Sequence, residues 1–260
     1  MGLLLVAGVV LGGAALLTAA GLVGIVRRDG LATLLRNVRD RPREVAGPVG
    51  LVVAVLVLNK FVRDVAPEVS HLIGWNVTGL IYRIEGPFVA HLQSVATPWL
   101  TAYFSVVYLP GYVFLLVFPF LAYGSLEDLA PLKRTAVSFA ANYTIGLLLY
   151  TLFISYGPRN LLPEAVEPLL YSTYPRTQIL VSEVNTNTNV FPSLHTSLSV
   201  TVALLAWQTR GRYPRWSRIA VPLAASVVLS TMYLGIHWAV DVLAGAAMAV
   251  GIVSLASRRW

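Results

Sequence analysis

Long apolar stretches separated by short polar ones run along most of this chain. Seven of them are candidates for membrane-spanning helices, since about 20 residues cross the hydrocarbon core of a bilayer. They lie at 3–26, 45–62, 99–123, 135–156, 193–208, 219–236 and 238–257. The pattern predicts an all-α fold, a polytopic membrane helix bundle of about seven transmembrane helices. We divide the chain into N-terminal spans with an interfacial segment, 1–98, and a membrane domain, 99–257.

Two stretches and two connections differ from the rest. The fifth and sixth stretches are short, and the fifth is rich in Ser and Thr, so we expect both to pack inside the bundle. Residues 63–98 mix aromatic and charged side chains, which is typical of an interfacial or re-entrant helix. This segment contains Glu85 and Gln93. The sequence does not decide whether they support the site or contact the substrate. Residues 157–190 form the longest polar connection.

The composition excludes a soluble globular protein. Hydrophobic residues make up 57% of the chain and charged residues 12%, against about 45–50% and about 25% in soluble domains, and the mean hydropathy is +0.71. There is no cysteine, so disulfides, thiolate catalysis and cysteine-ligated metals are excluded. We expect the first span to be retained, because it has neither a basic leading region nor a clear cleavage site.

The basic residues are distributed unequally between alternate loops. The net charge is +7, and fourteen of the nineteen lysines and arginines fall in 27–44, 124–134, 209–218 and 258–260. Their position beside apolar spans is typical of membrane topology and not of nucleic-acid binding. The positive-inside rule predicts an integral, multi-pass protein of the cell membrane in which these four segments are cytoplasmic.

Two of the four histidines lie at the ends of apolar spans, on the predicted outer side. Ionisable side chains at membrane depth usually line a cavity or take part in chemistry, which draws attention to His195 and His237. Asp241 follows His237 by four residues, so a helix would carry both on one face, where a carboxylate orients an imidazole and stabilises its cation. His71 and His91 have no acidic partner at this spacing. The sequence favours an enzyme whose site lies at the extracytoplasmic boundary.

A phosphate site is predicted beside His195. Proline favours the first turn of a helix, so we expect a helix to start near Pro192. The first N–H groups, those of Ser193, Leu194 and His195, would then face one point and bind an anion. Arg159 follows a span end, and its guanidinium is suited to bidentate contact with phosphate. Together with the two histidines and the aspartate, these groups suffice for phosphoryl transfer without a metal or other cofactor.

Two motifs resemble those of a known family. Phe191-Pro-Ser-Leu-His195 and Ser230-x2-Tyr-Leu-Gly-x-His237-x3-Asp241 are similar to two signatures of the type 2 phosphatidic acid phosphatase superfamily, Pro-Ser-x-His and Ser-Arg-x5-His-x3-Asp. The resemblance covers the membrane domain and implies a six-helix phosphatase-type core. It also implies that His237 is the nucleophile forming a phosphohistidine, that Asp241 orients it, and that His195 is the general acid.

Departures from these signatures are similar to one branch of the superfamily. The usual Lys-x6-Arg-Pro signature is absent, because Asn160 follows Arg159 and Leu152 stands at the lysine position. Thr231 stands where the third signature has arginine. These features, with Gly-Pro-Arg and Phe-Pro-Ser-Leu-His, resemble inositol phosphorylceramide synthases and sphingomyelin synthase relatives, which transfer a phospho-headgroup between lipids. The resemblance implies an inositolphosphotransferase-like enzyme, with Arg176 as a spare phosphate ligand.

The predicted substrate is a lipid phosphate or phosphodiester, with a lipid hydroxyl as acceptor. Leu194 stands where many phosphatases have a small glycine, and Phe191 and Thr231 add to an apolar pocket, which favours a lipid acceptor over water. The predicted phosphate ligands are Arg159, Ser193 and Leu194. The alternative within the family is plain hydrolysis of a lipid phosphate or an isoprenoid diphosphate.

Other functional classes remain open for the same residues. A metal hydrolase would bind zinc through the two histidines and Asp241, for which three ligands suffice, but Arg159 would then have no role. A serine protease would pair Ser193 with His237, although no glycines frame this serine. A non-enzymatic transporter or scaffold would use helix breaks such as Pro110. Chelator sensitivity, a serine-directed probe and substrate flux distinguish these classes.

Overall fold

The computed structural model describes residues 2–184 and 188–258, most of them helical. The α-helices are α1 Gly2–Gly21, α2 Arg27–Asp40, α3 Pro42–Ile73, α4 Thr78–Glu85, α5 Phe88–Gln93, α6 Pro98–Val106, α7 Tyr112–Gly124, α8 Ala130–Leu152, α9 Pro158–Leu161, α10 Leu169–Thr173, α11 Thr177–Val184, α12 Leu194–Gln208, α13 Pro214–Tyr233 and α14 Ala239–Ser257. Two π-helical segments, Leu22–Val26 and Val107–Gly111, join α1 to α2 and α6 to α7. Two short strands, β1 Trp75–Asn76 and β2 Phe153–Ile154, pair in parallel.

Five helical segments of the described chain are long and apolar enough to cross a membrane. They are Leu3–Asp40, Pro42–Val62, Pro98–Gly124, Ala130–Leu152 and Ala239–Ser257. The other two predicted spans correspond to α12, which is 15 residues long, and α13. α12 lies inside the bundle as expected, in contact with α7, α8, α13 and α14. The predicted all-α polytopic membrane bundle is confirmed.

The segment 63–98 is not the single helix we expected. α3 does not end near residue 62 but continues to Ile73, and β1, α4 and α5 follow it. Hydropathy marks the apolar part of a helix and not its end, because backbone hydrogen bonds continue through charged residues. β1 then pairs with β2, directly after α8. α4 and α5 are therefore attached to the bundle at the end where α8 finishes.

The core is formed by α7, α8, α12 and α13. Phe118, Leu132, Leu198 and Trp216 are among its most deeply buried side chains. α1 packs against α7, and α3 packs against α8. In the most apolar parts of the first and second spanning segments, only 11% and 6% of the residues are buried. Because the exposed residues there are apolar, the outer faces of these two helices are suited to contact lipid.

A polar network joins α8 to α12 inside the bundle. The Asn142 amide donates to the Ser138 carbonyl at 2.7 Å and to the Thr201 hydroxyl at 3.1 Å, and its oxygen accepts a hydrogen bond from the Ser197 hydroxyl. All four residues are fully buried. Hydrogen bonds between helices supplement packing where lipid surrounds a bundle, since lipid tails are as apolar as the helices themselves.

Candidate active site

His237 lies in the turn between α13 and α14, residues 234–238, which we call the His237 turn. This turn folds back on α13, because the N–H groups of Ile236 and His237 donate to the Thr231 carbonyl at 2.9 and 3.0 Å. Thr231 is fully buried, and its hydroxyl donates to the Val228 carbonyl at 2.7 Å. The residue at the position of the missing arginine therefore holds the turn through its backbone and brings no charge.

His237 and Asp241 form the expected pair, but not on one face of a helix. α14 begins at Ala239, so the imidazole meets the first turn of the helix from outside it. Asp241 Oδ2 accepts from the Trp238 N–H at 2.8 Å and lies 3.6 Å from His237 Nδ1, with the two side chains 0% and 1% exposed. The carboxylate thus caps α14 and also faces the imidazole, without a hydrogen bond between the two.

His195 faces His237 from the first turn of α12. The helix begins at Leu194 after Ser193, whose hydroxyl accepts from the Thr196 N–H at 3.2 Å. The centroids of the two histidine rings are 5.9 Å apart. The structure therefore brings together the two histidines that the motifs indicated, at a distance typical of rings in contact.

Two tyrosines contact the His195 ring. The ring centroids of Tyr108 and Tyr112 lie 4.9 and 4.7 Å from that of His195. Both come from the helix interrupted by the π-helical segment, which contains Pro110, and a proline removes a backbone donor and disturbs a helix at such a place. Neither tyrosine was predicted from the sequence, although two tyrosines four residues apart around a proline are a visible signal.

The N–H groups at the start of α12 are only partly available to a ligand. The Ser193 N–H donates to the Asp241 carbonyl at 3.0 Å, and the Leu194 N–H reaches the Tyr150 hydroxyl at 3.4 Å. Two of the three donors expected to be free thus have partners within the protein, because α14 and α8 pack closely against this end of α12. The Leu194 side chain packs against Gly146 of α8.

Gly245 allows the close approach of α14 to α12. A Cβ at this position would lie 2.4 Å from the Ser193 carbonyl oxygen. Gly245→Ala is therefore expected to force the helices apart, to lower the free energy of unfolding by about 1–3 kcal/mol and to reduce turnover. Gly251→Ala in the same helix, where nothing lies near the added Cβ, is the matched control. Thermal unfolding in detergent compares the two, and equal stabilities would contradict this account.

Arg159 reaches the site from α9. Its backbone N–H donates to the Gly235 carbonyl in the His237 turn at 3.3 Å. Guanidinium Nη2 donates to the Tyr171 hydroxyl at 3.1 Å, and the guanidinium carbon lies 4.5 Å from the centre of that ring. The guanidinium charge interacts electrostatically with His237, while its Nη1 is buried without a hydrogen-bond partner. A fixed guanidinium with a free donor is suited to bind a phosphate oxygen.

Three other residues considered from the sequence lie on the surface. Arg176, the spare phosphate ligand, is exposed, and so are His71 and His91. Among the described residues, no hydrogen bond or ring contact joins any of the three to His195 or His237. The structure therefore places Arg159, and not Arg176, next to the histidines.

Several buried polar atoms at this place have no partner within the protein. In the part of the chain that the structure describes, they include both ring nitrogens of His237, Asp241 Oδ1 and Arg159 Nη1. The backbone of Val190 lies near the imidazole, but the two groups are not placed to form a hydrogen bond. Since buried polar groups are nearly always hydrogen-bonded, a group of unpaired ones indicates a binding site. Guanidinium and imidazole donors are suited to an anion such as a phosphate ester.

Two polar residues of the 63–98 segment also reach the site. Glu85 contacts the first turn of α14, and Gln93 contacts the last residue of α13. In sequence these contacts span 155 and 140 residues. Because no spacing rule relates residues so far apart, the roles of Glu85 and Gln93 could not be assigned from the sequence.

The ligands proposed for a metal hydrolase do not form a metal-binding group. Within residues 2–184 and 188–258, no set of three or more His, Cys, Asp or Glu side chains is placed to hold a metal ion. The geometry of His195, His237 and Asp241 thus does not favour that alternative.

A comparison with family models decides between the remaining classes. The model described as the PAP2 superfamily matches residues 83–255, well over half of the chain. This chain belongs to the PAP2 superfamily. The predicted membership is confirmed, and it supports a phosphatase or phosphotransferase acting on lipid-type phosphates. No curated protein and no solved structure gave a significant match.

The PAP2 match contains every residue of the site described above. It runs from α4 to α14 and so includes Arg159, His195, His237 and Asp241. It begins before residue 99, where we placed the start of the membrane domain, and takes in Glu85 as well. The PAP2 region therefore includes the end of α4 and all of α5.

Proposed function

We propose that this PAP2 protein is a metal-independent lipid phosphotransferase that works through a phosphohistidine at His237. The observation that carries the proposal is one group of side chains, His237, Asp241, His195 and Arg159, in which the unpaired ring nitrogens of His237 and Nη1 of Arg159 are suited to an anion. The phosphoryl oxygens of a lipid phosphate or phosphodiester would bind Arg159 Nη1 and the start of α12. Of the ligands predicted there, the N–H groups of Ser193 and Leu194 already have partners within the protein, which leaves the Ser193 hydroxyl as a donor. Asp241 would orient His237 and stabilise its positive charge.

The proposed reaction has two balanced halves. His237 Nδ1 is the nitrogen nearer Asp241, which leaves Nε2 to attack. Nε2 forms a bond to phosphorus as the bond to the leaving oxygen breaks, and protonated His195 gives its proton to that oxygen. Neutral His195 then accepts the proton of an incoming hydroxyl, whose oxygen attacks phosphorus and releases His237. Arg159 stabilises the charge on the remaining phosphoryl oxygens in both halves.

The identity of the incoming hydroxyl decides between transfer and hydrolysis. We favour a lipid hydroxyl because His237 is only 1% exposed and because the bonded Thr231 hydroxyl replaces a charge that would hold free phosphate. Leu194 no longer supports this argument, since its side chain packs against α8. The proposed class is inositolphosphotransferase-like, in which a phospho-headgroup moves from one lipid to another.

A panel of donor lipids tests this proposal. Purified protein receives phosphatidate, an isoprenoid diphosphate or phosphatidylinositol, each with and without a long-chain alcohol, and both products are followed. We expect a phosphorylated or headgroup-bearing alcohol to form, and turnover to persist in EDTA. Inorganic phosphate released at the same rate with and without the alcohol, and no modified alcohol, would assign a lipid phosphatase instead.

We also propose that the site faces the extracytoplasmic side. α12 begins at the site and ends at the basic loop 209–218, so this loop lies at the opposite end of the bundle. Arg212 of that loop pairs with Asp128 at 2.9 Å, which joins it to the basic segment 124–134. Two of the segments predicted to be cytoplasmic therefore lie together, away from the histidines.

Single-cysteine labelling tests this orientation directly, because the chain contains no cysteine. Gly211→Cys and Glu164→Cys each place one thiol at an exposed position, on the basic end and on the site end respectively. A membrane-impermeant maleimide added to intact cells should label Glu164→Cys and spare Gly211→Cys until the cells are opened. The reverse pattern would invert the proposed topology.

A further inference from the structure

The His237 turn is attached to α13 by its own backbone, but its connection to α14 depends on other residues. The N–H groups of residues 234–237 all donate to carbonyls of α13. The next N–H, that of Trp238, donates to Asp241 Oδ2 within the start of α14. No backbone hydrogen bond of the turn therefore joins the end of α13 to the start of α14, so contacts with other segments fix the distance between these two helix ends.

Gln93 of α5 holds the α13 side of the turn. Its Nε2 donates to the Tyr233 carbonyl and to the Glu167 carbonyl, both at 2.9 Å, and its Oε1 accepts from the Glu167 N–H at 2.8 Å. Tyr233 is the last residue of α13, where a carbonyl has no partner in its own helix. Both amide hydrogens are used, so glutamate at this position would face two carbonyl oxygens with no donor to offer them.

Glu85 of α4 holds the α14 side. Its Oε2 accepts from the Val240 N–H at 3.0 Å, and Val240 lies in the first turn of α14, where N–H groups lack helical partners. The pKa of the Glu85 carboxyl is raised above its ordinary value, mainly by burial and also by nearby Asp241. The N–H groups of Ala239 and Val240 oppose this rise. The negative charge of Glu85 also favours the positive end of the helix dipole. The first turn of α14 is thus held by two carboxylates, those of Glu85 and Asp241.

We propose that Glu85 and Gln93 are positioning residues for phosphoryl transfer. By holding α4 and α5 against the two ends of the His237 turn, they set how the His237 imidazole approaches Asp241. The inference rests on the function proposed above. A displacement of about 1 Å lowers the rate of a catalysed step about 100-fold. The Arg159 guanidinium, which binds the lipid phosphate in the proposed function, is held separately by Tyr171, so we expect lipid binding to change much less than the rate.

Alanine and conservative variants test this role. With the panel donor that supports turnover, Glu85→Ala and Gln93→Ala should lower kcat by about 10- to 100-fold and leave KM within about twofold. Glu85→Gln keeps an oxygen that accepts the Val240 N–H and should recover most of kcat, whereas Gln93→Glu should not. Arg83→Ala, at an exposed position of the same α4 helix, is the matched control and should equal the wild type.

Measuring His237→Gln in parallel separates the two ways in which the inference can fail. Turnover retained in His237→Gln would overturn the proposed function itself. No turnover in His237→Gln, with wild-type kcat in Glu85→Ala and Gln93→Ala, would overturn the positioning role alone. An increase in KM with unchanged kcat would also overturn it, because it would make these residues substrate ligands.

A folding check keeps the test decisive. Each variant is first examined by gel filtration in detergent. Where an alanine variant is not monodisperse, Glu85→Asp and Gln93→Asn replace it, because each withdraws the polar group by one methylene without removing it. Unchanged kcat in these shorter variants would equally overturn the positioning role, and a loss of kcat at constant KM would support it.

Discussion

Replacing His237 by glutamine is expected to abolish turnover and to leave the protein folded. Loss of a general acid or base costs about 10²–10⁴-fold, and loss of the nucleophile should cost more, because no covalent intermediate can form. The fold should survive because the backbone N–H still donates to the Thr231 carbonyl at 3.0 Å, and the ring nitrogens make no hydrogen bond within the protein. Turnover and trapping of an acid-labile phosphoryl-enzyme are the measurements.

The control for this experiment is the same substitution at a surface histidine. His91→Gln changes an exposed position of α5 and should keep wild-type turnover. A His237→Gln protein with near-normal turnover would contradict the reaction scheme. An inactive His237→Gln protein, together with no trapped phosphoryl group on the wild type, would make His237 a general base for direct transfer.

Replacing Arg159 by alanine is expected to lower kcat/KM by about 10²–10³-fold, as the loss of a preorganised donor to a developing anion does elsewhere. Its guanidinium is held by Tyr171 at 3.1 Å, and its Nη1 is buried and unpaired, so it is already oriented for a ligand. Arg159→Lys should recover only part of the loss, because an ammonium cannot offer two parallel donors. Inhibition by orthovanadate, a phosphate-shaped anion, should weaken in parallel with turnover.

Arg176→Ala is the comparison that makes this result specific. Arg176 is exposed, and its removal should leave turnover and vanadate inhibition unchanged. If Arg176→Ala were impaired and Arg159→Ala were not, the phosphate ligand would have to be reassigned to Arg176. Equal losses in both would indicate a general dependence on positive charge near the site.

Hydropathy located the helices of this protein well and their ends poorly. A span must be apolar over about 20 residues because the bilayer offers no partners for polar groups, and this requirement is written directly in the sequence. The end of α3 at Ile73 carries no such mark, because its last turns leave the apolar stretch but keep their backbone hydrogen bonds. The predicted positions and order of the apolar helices therefore agree with the structure better than their lengths, and five of the seven are long and apolar enough to cross a membrane.

The short motifs indicated which residues meet at the site, but not how they meet. The four-residue spacing of His237 and Asp241 suggested one helix face, whereas the helix begins between them, at Ala239. Leu194 was expected to line the pocket, yet it packs against Gly146 of another helix. A motif fixes the order of residues along the chain, while the direction of each side chain depends on neighbours from distant segments.

Contacts between distant segments could not be predicted at all. Glu85 and Val240 are 155 residues apart, and Gln93 and Tyr233 are 140 apart. No periodicity or spacing in the sequence relates such pairs. Taken alone, Glu85 and Gln93 are typical of the polar residues of an interfacial segment. Their partners are backbone groups, which nearly every residue type has, so the sequence does not show which residue is the partner.

The Asn142 network bears on the direction in which His195 points. Successive residues of a helix are turned by about 100°, so a rotation of α12 by one residue would turn His195 away from His237. Apolar contacts resist such a rotation weakly, since one alkyl group replaces another, whereas the Asn142 amide meets Ser197 and Thr201 in only one orientation. The angular setting of the histidine is therefore determined roughly 3–9 Å further along α12, by residues outside the group of side chains proposed to bind the substrate.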